Sequence, residues 1–115
     1  MSLAADVPPE IAPRELAGWR ADGRDVVVLD VREPWEVAIC CLPGSTVIRM
    51  AELPARTHEL PRDVPLVVLC HHGVRSRNAT QWLREAGFRN ACNLSGGIDA
   101  WARAVRVRTE VRRVE

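Results

Sequence analysis

Along the chain, short runs of aliphatic and β-branched residues alternate with stretches whose apolar positions recur every three or four residues. Residues 25–31 (DVVVLDV) and 65–70 (PLVVLC) are unbroken apolar runs bounded by turn residues, the pattern of strands buried on both faces. Shorter strands are predicted at 47–49 and 91–94. Between them, residues 13–23 predict a helix with proline in its first turn, Leu16 and Trp19 on one face and Gly23 as its stop. Residues 51–60 predict a second helix, with Pro54 in its first turn or at a bend. The segment after residue 70 predicts a third, with Ala79, Trp82, Leu83 and Ala86 on one face, Ser76 as N-cap and Gly87 at the C′ position. A closing helix begins near Ile98. The tail, residues 104–115, alternates charge with valine and fits an edge strand, a helix or a frayed end.

Strands alternating with helices imply right-handed crossovers and a small parallel sheet of about five strands with helices on both faces, an α/β fold. No repeat or linker interrupts the 115 residues, so one domain is expected, its core at about 10–103. In such sheets ligands bind beyond the carboxyl ends of the strands. Asp30, Cys70 and residues 95–97 all fall there.

Composition narrows the chemistry. With 16 basic against 15 acidic residues the net charge is +1, which argues against a nucleic-acid footprint. The apolar runs are far too short to span a bilayer, so no membrane partner is expected. The basic residues are arginines and histidines with no lysine, and tyrosine is absent, which removes Schiff-base chemistry, a Walker-type lysine and a phenolic acid. Four cysteines without a C-x-x-C pair, and an N-terminus lacking a basic and an apolar leader region, point to a reducing, cytoplasmic setting.

The candidate chemistry centres on CHHGVRS, residues 70–76. A loop running from a parallel strand into a helix presents free backbone N–H groups and the positive end of the helix dipole. A thiolate at Cys70 would be stabilised there. His71, His72 and Arg75 add charge or donors, and Gly73 lets successive amides converge on one point. An isolated cysteine at a strand end is most often a small core residue. The conjunction of strand end, Cys70, Gly73, Arg75 and a helix start favours a nucleophile with its own cradle.

These motifs resemble the single-domain rhodanese-like sulfurtransferases. CHHGVRS looks like the family's active-site loop, VVVLDVREPWE like its first strong strand and Asp-x-Arg-Glu segment, LPGS like its Pro-Gly turn, and NLSGGIDAW like its C-terminal signature. The resemblance implies sulfur transfer through a persulfide on Cys70, from a small donor such as thiosulfate to cyanide, a thiol or a sulfur-accepting protein. It places Cys70 as nucleophile and His71, His72, Gly73, Val74, Arg75 and Ser76 as the loop and substrate-binding residues, with no cofactor and no metal. A phosphatase or arsenate reductase loop would read Cys-x5-Arg; here Arg75 is one position closer. A binding or sulfur-relay module with little turnover is the other alternative.

Asp30 and Arg32 are read as supporting residues, first as an ion pair fixing the loop. Arg75 is read equally as a substrate contact or a tie to a carboxylate, and Glu33 and Glu36 as solvated or helix-capping. The four tryptophans are assigned to helical core faces, Trp35 nearest the mouth. Cys40 and Cys41 mark a departure from the resemblance, Cys41 standing where related sequences carry a histidine before the Leu-Pro-Gly turn. They are read as small apolar substitutes or, alternatively, as a resolving thiol; a zinc site there is disfavoured by spacing. Cys92 is read as buried and inert.

Overall fold

The computed structural model describes residues 7–114, with side chains through residue 105. The leader reading at residues 1–6 lies outside the described residues. In chain order the elements are β1 (Glu10–Ile11), α1 (Pro13–Ala21), β2 (Val27–Asp30), α2 (Pro34–Ile39), β3 (Thr46–Val47), 3-10 turns at Met50–Ala55 and Thr57–Glu59, β4 (Leu66–Leu69), α3 (Val74–Glu85), β5 (Ala91–Leu94) and α4 (Gly97–Val114).

The five strands form one parallel sheet in the order β1-β5-β4-β2-β3. The two apolar runs pair directly, Val27 opposite Leu66 through Asp30 opposite Leu69. Side chains along β4 alternate between faces. Leu66, Val68 and Cys70 join a core with Leu83 and Phe88 on the α3 side, while Val67 and Leu69 join Leu16, Leu94 and Ile98 on the other. Because both faces are covered, β4 and β5 are buried at every position. Among the described residues no helix is long and apolar enough to cross a membrane.

Several local expectations are corrected. The helix expected at 51–60 is instead two 3-10 turns, because Pro54 has no N–H to continue an α-helical ladder. The N-cap of α3 is Gly73, in the left-handed region at φ 97°, which moves Ser76 inside the first turn. Its other end is as expected, with Ala86 the C-cap and Gly87 following at φ 103°. Trp35 and Trp82 are not core residues: they are 66% and 41% exposed. Cys41 is exposed too, and only Cys40 packs partly against the core. The tail continues α4 as helix to Val114. Two elements escaped the sequence reading, the two-residue β1 and the six-residue α2.

Candidate active site

β4 ends at Leu69, so Cys70 is the first residue past the sheet and the loop that follows leads straight into α3. The loop turns back on its own cysteine. Cys70 Sγ accepts N–H bonds from Gly73 at 3.1 Å and Ser76 at 3.4 Å, and the Ser76 hydroxyl lies 3.3 Å away. The left-handed conformation of Gly73 makes this possible, because an ordinary side chain there would be strained. Burial is the largest influence on the Cys70 thiol and pushes it up. Against it act the Ser76 hydroxyl and the backbone N–H groups of Ser76, Gly73 and His72, and the thiol ends below its ordinary range.

The outer side of the loop is held by the start of α4. Ile98 N–H donates to the Cys70 carbonyl at 2.8 Å, and Asp99 N–H to that of His71 at 3.1 Å. So close an approach demands glycine: a Cβ at Gly97 would collide with the backbone carbonyls of Cys70 and His71. Gly97 of the NLSGG segment therefore shapes the loop from outside, while a Cβ at Gly96 would instead meet Ala100 within α4.

The flanking side chains divide into two groups. His71, His72 and Val74 are exposed, the two imidazoles stacked with centroids 4.0 Å apart. They lie along the rim. Arg75 instead reaches across to α2, where its two terminal nitrogens donate to Glu36 at 2.9 and 2.8 Å. The Arg75 guanidinium, above all, holds the Glu36 carboxyl down at about 2. Glu36 also accepts the Glu33 N–H at 2.9 Å, so the helix-capping role is present as well. Its pairing with Arg75 was the part missing from the sequence reading; the only signal was an opposite charge on a segment near the loop.

Asp30 and Arg32 form the expected buried ion pair. Arg32 Nη2 and Nε donate to Asp30 at 2.7 and 2.9 Å, with both residues at most 3% exposed. Arg32 Nη2 also donates to the Cys40 carbonyl at 2.8 Å, which fixes the end of α2. Beside the loop lies a cavity of about 360 Å³ whose lining includes Arg32, Trp35, Ile39, Cys40, His71 and Ile98. Cys92 sits in the opposite core, where burial pushes its thiol up to about 12. Among the described residues, no three His, Cys, Asp or Glu side chains gather closely enough to hold a metal ion.

Sequence and fold both match known proteins. The rhodanese-like domain model matches residues 12–104. A sulfurtransferase of Allochromatium vinosum is 38% identical over 82% of this chain and 88% of its own. The thiosulfate sulfurtransferase GlpE of Pseudoalteromonas translucida is 33% identical over 77% of this chain and 85% of its own. Among solved structures, the human single-domain sulfurtransferase TSTD1 superposes with a TM-score of 0.74 at 32% identity, over 84% of this chain and 97% of that one. With the family model and these relatives in agreement, the chain belongs to the rhodanese-like family.

Proposed function

We propose that the chain is a sulfurtransferase in which Cys70 takes a sulfane sulfur from a small donor of the thiosulfate type and hands it to a thiophilic acceptor. The observation that carries the reading is the convergence of the Gly73 and Ser76 amides on Cys70 Sγ, at 3.1 and 3.4 Å. These donors stabilise negative charge on sulfur without reorganising during the reaction.

In the first half-reaction the Cys70 thiolate attacks the outer sulfur of thiosulfate. A new S–S bond forms, the donor's S–S bond breaks, and sulfite leaves with the electron pair. In the second, a nucleophile such as cyanide or a thiol attacks the outer sulfur of the persulfide and Cys70 leaves as thiolate. Cys70 is only 1% exposed, and a single terminal sulfur is the slimmest group that so enclosed a site receives. Phosphate is a poorer fit, because the guanidinium that would grip its oxygens is engaged by Glu36.

A second reading, a partner-binding or relay module with slow turnover, is favoured by the exposure of Trp35 and Ile39, 66% and 77%, at the cavity beside the loop. Intact mass after incubation with thiosulfate decides the first half-reaction. One added sulfur, about 32 Da, is expected on the wild type and not on Cys70→Ala. An unchanged wild-type mass under non-reducing conditions sinks the proposal. Persulfide formation with no turnover to cyanide or thiols promotes the second reading.

A further inference from the structure

The Ser76 hydroxyl carries one proton and stands between two neighbours that compete for it. Its Oγ lies 2.5 Å from Asn93 Oδ1 and 3.3 Å from Cys70 Sγ. A hydroxyl donates only once. Nor does the Asn93 amide turn round to end the contest. Its Nδ2 donates to the Gly73 carbonyl at 3.2 Å and to Glu10 Oε2 at 3.3 Å, both of them acceptors. Asn93 is wholly buried on β5, so its Oδ1 is a fixed acceptor aimed at Ser76.

Two arrangements result. With Cys70 protonated, S–H donates to Ser76 Oγ and Ser76 donates to Asn93, which satisfies all three groups. With Cys70 ionised, Ser76 turns its proton to the sulfur, and the buried Asn93 Oδ1 loses its protein donor. We propose that Asn93 is a positioning residue that draws the single Ser76 proton away from Cys70 Sγ and thereby biases the cysteine toward holding a sulfur atom rather than releasing it.

The functional half of this proposal rests on the persulfide reading. Once a second sulfur is bonded, Sγ is no longer the charged atom and the Ser76 proton returns to Asn93. Each Cys70 thiolate is thus a stronger nucleophile, though fewer form below the midpoint, and its departure from the persulfide is slowed. The other charges facing the site are present in every variant, Glu10 alone losing a contact with Asn93. Arg75 and Arg77 attract negative charge at Cys70 and are paired with Glu36 and Glu10. Asp30 acts on Arg75 from β2, and His71, His72 and Asp99 lie on the outer side.

The test is the pH dependence of Cys70 alkylation by iodoacetamide, followed on the Cys70 peptide by mass spectrometry, in wild type, Asn93→Ala, Ser76→Ala and the double variant. Asn93→Ala should move the midpoint to lower pH and speed alkylation below it about threefold, the scale of one neutral hydrogen bond gained by the anion less the accompanying loss of nucleophilicity. In the Ser76→Ala background the same substitution should shift the midpoint much less, by only what the lost Nδ2 bonds to Gly73 and Glu10 contribute. An unchanged or raised midpoint in Asn93→Ala, or equal shifts in both backgrounds, overturns the proposal. Should Asn93→Ala fail to fold, the Asn93 side-chain amide resonance serves in its place. It should titrate with Cys70 in wild type and much less in Ser76→Ala, and a flat response in wild type overturns the proposal equally. No sulfur donor enters these measurements, so failure of persulfide formation and failure of the Asn93 proposal are read separately.

Discussion

Arg75 and Glu36, 39 positions apart in the chain, meet in a two-pronged ion pair at 2.9 and 2.8 Å that ties the cysteine loop to α2. The carboxylate is largely enclosed while the guanidinium is half in water, so the pair positions more than it stabilises.

Replacing Glu36 with Gln should therefore cost about 1 kcal/mol of stability and lower sulfur-transfer activity severalfold by loosening the loop. The acid limb of stability should change with it. The folded carboxyl titrates near 2, below its ordinary value of 4.5, so its contribution is complete above 4.5 and is lost as pH falls toward 2. Melting temperatures between pH 5 and 2 should fall less steeply in Glu36→Gln than in wild type; parallel curves would deny the coupling.

The Asp30–Arg32 pair should behave differently because both partners are buried. Asp30→Ala leaves a guanidinium without its counter-charge and should destabilise by about 3–5 kcal/mol. Chemical denaturation reads the loss directly. A change below about 1 kcal/mol would show that the guanidinium finds water instead.

Gly97→Ala tests the wall behind the loop. The residue sits at φ 64°, and its new methyl would meet the carbonyls of Cys70 and His71. The expected cost is about 1–3 kcal/mol, accompanied by a displaced loop and a large fall in activity. Retained activity would mean that the amide cradle does not depend on the contact with α4.

The cysteines should separate by reactivity. Cys41 is exposed and should alkylate readily, whereas Cys92, buried with its thiol near 12, should not react in the native protein at pH 8. Cys92→Ala should keep persulfide formation on Cys70. Labelling of native Cys92 as fast as Cys41 would contradict its placement in the core.

Much of this architecture was legible in the sequence because β2 and β4 are uninterrupted apolar runs, whose burial on both faces leaves few other assignments. β1 was hard to read for the opposite reason: two residues carry no periodicity, and its strand character comes from pairing with β5. β3, expected at 47–49, lies at Thr46–Val47, its bounds set by pairing with β2. The loop was readable as a cradle from Gly73 and the helix start. Its wiring was not: Glu36 and Asn93 come from remote segments, and nothing local marks them as partners of Arg75 and Ser76. Helical spacing points Trp35 and Trp82 inward, but spacing reports a face and not whether anything covers it.

The position of β4 in the middle of the sheet has a mechanical outcome. Local breathing is cheapest where strands are short and one-sided, and both outer strands here are two residues long. The cysteine is instead mounted on the strand with partners on either flank. Amide exchange should therefore release β1 and β3 long before the footing beneath the sulfur gives way.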